Sequence, residues 1–500
     1  MASAVLVSVA AFVPMIVSGH ITRDSGVFAY TGMVVSRGGM PYVDSWDHKG
    51  PLLAAIETAA WQIGGGIVGA PILEGIVLAA GLGVSGVIWA RWLGNAAAAV
   101  VLLTGVTYLA VFEGGNFTET WLFPFQLVAY SLAAHVALTR GREASARMAA
   151  AGGLVVGAAL SVGLFTRMNN VAGLVVLVVA AAVLLRRRLV FVGAVVGVTA
   201  AIGAALALWL LTGDALWAAF DQYVRYNLFY SSGAGGGDRL GSFATLSQTL
   251  VSGAVVVGTL VLLGAWAVVR RRAGAESRHL PAIVVLLLVV AGADALSQMA
   301  SGRPYPHYLV VAVAGFAVLV AVLGSVVLPA VRAHVSRRAP LRRRLASATV
   351  IAAALVLTVS SSTAGALQSA RTVRGAGVFL AGSYQAQLVE RVRAETSPDD
   401  RVLVHGAETW ILASAERLSP TSITYSLPVE QGYGGLAAQY LADITSFPPA
   451  LIVESPVSCG ISIECPPDEA HFEGLAPWVA SAYELEGDVV GFRFWRRIAP

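Results

Sequence analysis

Apolar runs of about 17 to 23 residues recur along this chain, each long enough for a helix to cross roughly 30 Å of hydrocarbon. They centre on residues 3–19, 70–90, 96–112, 121–139, 149–166, 171–185, 190–212, 249–269, 281–300, 307–329 and 346–365, which predicts about eleven transmembrane helices. Composition agrees. Of 500 residues, 57% are hydrophobic and only 12% charged, where a soluble protein carries about a quarter charged. No water-soluble fold hides that much apolar surface, so the expectation is a polytopic α-helical protein of the cell membrane.

The net charge of +4 does not point to nucleic acid, because the arginines sit in short clusters between apolar runs and form no single basic face. Their positions instead predict sidedness. With the loop after the first run placed outside, alternate loops hold Arg91; Arg140, Arg142 and Arg147; Arg186, Arg187 and Arg188; Arg270, Arg271, Arg272 and Arg278; and six more between Arg332 and Arg344. All of these then face the cytoplasm, as the positive-inside rule requires. The opposite loops hold fewer basic residues: Arg23, Arg37, Lys49, Arg167, Arg225, Arg239 and Arg303. This places the N-terminus in the cytoplasm and the C-terminal part outside. The stretch 52–66 is apolar but short and ends in Gly64-Gly65-Gly66, so it reads as a helix at the outer interface. The first run has neither a basic flank nor a clear cleavage site and reads as a retained membrane helix.

Residues 1–366 therefore read as a transmembrane domain and 367–500 as a small extracytoplasmic α/β domain. In the latter, Arg401–Gly406, Ala450–Val453 and Val489–Phe494 read as strands, with a helical stretch through Trp410 and Leu412. Cys459 and Cys465 can close a small disulfide loop if this domain lies outside the cytoplasm; a pair of free thiols is the alternative.

The segment most suggestive of chemistry is the first outer loop, about 20–51. It contains Arg23-Asp24 and then Gly39-Met40-Pro41-Tyr42-Val43-Asp44-Ser45-Trp46-Asp47-His48-Lys49-Gly50-Pro51. Carboxylates, a histidine, a lysine and several aromatic rings beside a bilayer can hold an anionic headgroup, offer a base to a hydroxyl and stack on a sugar. Lys49 is the only lysine among 33 basic residues. Such arginine usage points to a high-GC bacterium; either Lys49 is required for its compact ammonium charge, or it is a chance survivor.

This pattern, an early Asp, a Gly-x-x-Pro-Tyr turn and Asp-x-Trp-Asp-His-Lys-Gly-Pro, resembles the first periplasmic loop of the GT-C superfamily of membrane glycosyltransferases. It is most similar to the bacterial branch of glycosyltransferase family 39-like protein mannosyltransferases and the lipid A aminoarabinose transferase. Gly302-Arg303-Pro304-Tyr305-Pro306-His307-Tyr308 echoes it more weakly. The resemblance implies transfer of a sugar from a polyprenyl-phosphate donor to an envelope glycan, lipid or protein acceptor at the outer face. On it, Asp24 matches the essential loop acid, acting as base or orienting the acceptor, and Lys49 matches the lysine that pairs with the donor phosphate. Asp47, His48, Arg303, His307, Tyr308 and Glu119 become substrate- or phosphate-binding candidates. Some relatives use a divalent metal, for which Asp47, His48 and His307 are the matching positions.

Other polar residues carry two readings each. Arg167 with Asn169 and Asn170 either tightens a turn or contacts donor; Asp294 and Gln298 share a helical face and read as cavity lining ahead of pairing with each other's neighbours. Tyr223, Tyr226, Phe229 and Tyr230 read as an interfacial aromatic belt. The rival function is a transporter or lipid flippase, but those tend to place ionisable groups at mid-membrane in a repeated layout, whereas the polar residues here crowd the outer edge.

Overall fold

The computed structural model describes residues 1–19, 21–232, 236–270, 280–299, 301–335, 383–466 and 472–498. The chain is mostly helical, and every apolar run within the described residues is helical. In order these are α1 Ala2–Ser18, α2 Arg23–Ser36, α3 Pro51–Gly64, α4 Gly69–Leu93, α5 Ala96–Ala110, α6 Thr118–Thr139, α7 Ala146–Thr166, α8 Ala172–Leu184 and α9 Arg188–Leu211. They continue as α10 Leu216–Ala219, α11 Tyr226–Ser232, α12 Gly236–Ser252, α13 Ala254–Arg270, α14 Leu280–Met299 and α15 Val310–Val335. Among the described residues six helices are long and apolar enough to cross a membrane, or seven if the bent pair α12 and α13 is one span. The run at 346–365 lies outside the described residues.

The run 249–269 is not one helix, as its composition suggested. It breaks at Gly253, between α12 and α13, with a bend of 68°. Glycine is a poor helix former, and the amide of Val255 that the break frees donates to Thr107 Oγ1 at 3.1 Å.

The chain forms two compact units. One comprises Met1–Val13, Glu74–Ala205 and Ser231–Gly375. Its centre is the apolar stretch Pro306–Ala330, of which 83% is buried, whereas only 17% of the α9 window is. A helix apolar all round is stable only when something packs on every side; α15 meets α5, α6, α13 and α14, while α9 leaves Val196 and Leu208 exposed, as a lipid-facing helix can.

The second unit comprises Pro14–Leu73, Leu206–Tyr230 and Ala376–Pro500. It holds a four-stranded sheet in the order β1-β2-β4-β3, with β1 Val402–His405, β2 Leu451–Glu454, β3 Tyr483–Val489 and β4 Phe492–Arg497. β1 and β2 are parallel and fully buried, the pattern expected of strands covered on both faces. The single strand expected at 489–494 is the tip of a β3–β4 hairpin: Val489 pairs with Phe492 across the two residues Val490 and Gly491. Both have positive φ, 53° and 85°, the geometry whose twist matches the flanking strands; apolar valines hid the turn from a pattern reading.

The core of this unit joins distant segments. Ala29, Tyr30, Met33 and Val34 of α2 pack with Val402 and Val404 of β1, Leu451 and Val453 of β2, and the helix Trp410–Ala415. A Cβ on Gly26 would lie 2.5 Å from the backbone nitrogen of Trp410, so α2 approaches this helix at a distance only glycine permits. Tyr30 Oη accepts from the Ser419 amide at 2.9 Å, and burial lifts its phenol to about 12.

Candidate active site

The first-loop residues belong to the second unit. Thr22 caps α2, its Oγ1 accepting from the Ser25 amide at 3.2 Å, and this puts Asp24 in the first turn, where the helix dipole favours a carboxylate. Asp24 is exposed. The following loop, 37–50, has no regular structure but is tied at many points. Asp44 Oδ2 accepts from the Met40 amide at 2.7 Å, the Tyr42 amide donates to Ser45 O at 2.9 Å, and Tyr42 Oη donates to Lys49 O at 2.7 Å. Gln222, in the π-helical segment Phe220–Arg225 that joins α10 to α11, accepts from the Asp47 amide at 3.0 Å and donates to Tyr42 O at 2.7 Å. Asn227 donates to His48 O at 2.7 Å, and the Trp46 amide donates to Ser422 O at 2.9 Å. A loop so fixed presents preorganised side chains.

These converge. Lys49 Nζ lies 2.6 Å from His48 Nε2, and His48 Nδ1 is 2.8 Å from Tyr425 Oη. The Lys49 amide donates to Asp47 Oδ1 at 3.2 Å. Lys49 Nζ also sits 5.9 Å from the ring centre of Phe28, one helical turn beyond Asp24 on α2. Burial pushes the Asp47 carboxyl up to about 6; Lys49 opposes that shift and the charge of Asp24 adds to it. Burial likewise raises the Tyr425 phenol, to which both Asp47 and Asp24 contribute. Asp24, Asp47, His48, Lys49 and Tyr425 thus share one electrostatic neighbourhood. Arg23, beside Asp24, pairs with the buried Glu408 at 2.5 Å.

The aromatic stripe is not exposed throughout, as a belt would be: Tyr223 and Tyr226 are buried, whereas Phe229 is exposed. Tyr226 is fully buried, edge-on to Trp46 at 4.8 Å, and its ring and that of Tyr230 lie 5.5 and 6.2 Å from His48. Burying these rings against the loop outweighs leaving them at an interface. Tyr425, Gln222 and Glu408 escaped the sequence reading, and only the aromatic stripe around 223–230 signalled any of this second layer.

The other predicted residues lie in the first unit. Glu119, at the N-terminus of α6, pairs with Arg167, and Thr118 donates to its other oxygen at 2.9 Å. The Arg167 guanidinium rests 4.0 Å from the ring centre of Tyr308, so it joins an ion pair to a ring in addition to ending α7. His307 stacks on Phe117 with ring centres 3.9 Å apart, and its Nδ1 is 2.6 Å from Glu113 Oε2. Arg303 is half-buried in the turn before α15. Asp294 and Gln298 are fully buried and pair with neighbours, which corrects the cavity reading. Tyr130 donates to Asp294 Oδ2 at 2.8 Å, the Gly173 amide to Oδ1 at 2.7 Å, and Gln298 to Asn170 Oδ1 at 3.0 Å. Buried polar groups require such partners.

Among the described residues no group of three or more His, Cys, Asp or Glu side chains is arranged to hold a metal, the trio Asp47, His48 and His307 included. Cys459 and Cys465 are joined as a disulfide.

No family model matches the sequence, and no curated protein matches it either. Solved structures do. ArnT from Cupriavidus metallidurans bound to undecaprenyl phosphate aligns over 100% of this chain and 97% of its own, at 15% identity and a TM-score of 0.58. The same protein in its apo state aligns over 99% and 98%, at 15% identity and 0.55. The Archaeoglobus fulgidus oligosaccharyltransferase in complex with zinc and sulfate aligns over 90% and 67%, at 14% identity and 0.45. At such identity the ArnT likeness is one of fold: the chain has an ArnT-like fold along its whole length.

Proposed function

We propose that the protein is a glycosyltransferase of the plasma membrane that moves a hexosyl or pentosyl group from a polyprenyl-phosphate donor to an envelope acceptor at the outer face. The observation that carries this reading is the neighbourhood of Asp24, Asp47, His48 and Lys49 on a rigidly tied loop. The fold shared with ArnT, a protein solved with undecaprenyl phosphate bound, favours a lipid phosphate as the donor's leaving group. In this reading the chain crosses the membrane eleven times, with the N-terminus cytoplasmic and residues 367–500 extracytoplasmic.

The reaction divides between two charges. Asp24, exposed at the start of α2, takes the proton of the acceptor hydroxyl as that oxygen bonds to the anomeric carbon. The bond from that carbon to the phosphate oxygen breaks, its electron pair passes to the phosphate, and polyprenyl phosphate leaves. The Lys49 ammonium neutralises the charge that develops there, and a preorganised cation at such a point is worth more than one recruited from solvent. His48, held by Tyr425, orients Lys49. Glu119, Arg167, His307, Tyr308 and Arg303 contribute to substrate binding.

The decisive experiment is transfer from undecaprenyl-phosphate sugars in membranes containing the Asp24→Asn protein. Removing the base should slow transfer by about 100-fold or more, with expression and thermal stability unchanged. Normal transfer by a normally folded Asp24→Asn protein would refute the proposal and favour a transporter or flippase.

A further inference from the structure

The first unit contains a cavity of about 230 Å³, and none of the residues lining it is one placed in the chemistry above. Its walls come from α6, α7, α8, the start of α9 and the start of α14, and they are almost wholly apolar. On α6 it extends from Ala129 to Val136 and Ala137 and reaches Gly141 beyond the helix, a length of roughly 18 Å at 1.5 Å per residue. Ala133, Ala137, Ala149 and Gly152 leave the space that larger side chains would fill. A void of this shape in a membrane helix bundle is matched by hydrocarbon, not by water, which finds no polar partners there.

One end of the cavity is chemically different. Gly141, Ala144, Met148, Leu184 and Leu185 line it, and their neighbours in the chain are Arg140, Arg147, Arg186, Arg187 and Arg188, all exposed. The two turns carrying them contain a single acid, Glu143, which pairs with Arg186 at 3.0 Å between largely exposed side chains. Such a pair is weak, so the rim keeps a strong positive charge. An apolar slot ending in arginines is complementary to a molecule with a hydrocarbon chain and an anionic head.

We propose that this cavity binds an anionic glycerophospholipid, an acyl chain in the slot and the phosphate among the arginines of the α6–α7 and α8–α9 turns. The site is independent of glycosyl transfer. It serves to hold α6, α7, α8 and α14 together at the face that the arginine distribution assigns to the cytoplasm.

The test is native mass spectrometry of the full chain, exchanged into detergent containing equal amounts of phosphatidylglycerol and phosphatidylcholine. The wild type should retain phosphatidylglycerol with a preference of about tenfold or more. Arg147→Gln combined with Arg187→Gln, both at exposed positions, should remove most of that preference. Ala133→Phe with Ala137→Phe should abolish retention of either lipid; if that protein does not fold, the arginine pair decides. Equal retention of the two lipids by wild type, an undiminished preference in the arginine variant, undiminished binding in a folded filled-cavity variant, or displacement of phosphatidylglycerol by an equal amount of undecaprenyl phosphate would each overturn the proposal.

Discussion

At the scale of single residues, the first loop uses one ammonium and two carboxylates whose environments differ. Asp24 is exposed, whereas Asp47 is buried and its carboxyl is held up near 6. A carboxyl raised in the folded state costs stability above its folded pKa, and that cost fades as the pH falls to its unfolded value near 4. Asp47→Asn should therefore stabilise the protein at pH 8, by up to about 3 kcal/mol for a shift of about two units, and change little at pH 4.5. Thermal unfolding across that range measures this; equal effects at both ends would show that Asp47 is not a strained carboxylate. Lys49 calls for a different substitution. Arginine keeps the charge but replaces a compact ammonium with a longer, broad planar fork, which moves the charge away from the point it occupies 2.6 Å from His48 Nε2. Lys49→Arg should lower kcat for sugar transfer by about 100-fold, and full activity would remove Lys49 from its proposed role.

At the scale of elements, two contacts position the candidate residues. α2 carries Asp24 and Phe28 and is seated against the helix Trp410–Ala415 through Gly26. Gly26→Ala would drive a methyl group into the Trp410 backbone, and overpacking of this kind costs about 1–3 kcal/mol. The expected result is a lower melting temperature together with weakened transfer, because α2 must shift; an unchanged melting temperature would mean that the two helices separate freely. The second contact is the Glu119–Arg167 pair, which ties the start of α6 to the end of α7. Removing one member of a buried pair leaves the other uncompensated, at about 3–5 kcal/mol. Glu119→Ala should therefore destabilise the protein strongly, as read by detergent-solubilised thermal unfolding.

At the scale of the whole molecule, the second unit is assembled from three stretches of chain, and its core is shared between α2 and the sheet. A protein ending at residue 366 would uncover Tyr30, Met33 and Val34, which are now nearly fully buried. We expect this truncation to aggregate or be degraded, and co-expression of 367–500 as a separate chain to rescue part of the folded protein. Recovery of stable, monodisperse 1–366 alone would show that α2 needs no such cover.

How much of this was legible beforehand follows from what the physics makes local. A bilayer demands long uncharged runs wherever a helix crosses it, so the helices could be read from composition, and an ordered motif marked Asp24 and Lys49 as a pair. Periodicity did not reveal the break at Gly253 or the turn at Val490, because a helix end and a hairpin tip built from apolar residues look like continuous elements. The partners of the motif were hidden for a stronger reason. Gln222 and Tyr425 lie 175 and 377 positions from the loop residues they hold, and a separation in sequence of that size leaves no spacing rule to connect them.

What the sequence alone determined, then, is that the chain is built of long apolar helices suited to a membrane and that Asp47, His48 and Lys49 follow one another in its first loop; both follow from the type and spacing of neighbouring residues. What only tertiary structure decided is which groups surround them. Burial of Asp47, the grip of Tyr425 on His48 and the engagement of Asp294 with Tyr130 all depend on packing between distant segments, and burial and pairing, not residue type, set the energy of a charge or a dipole.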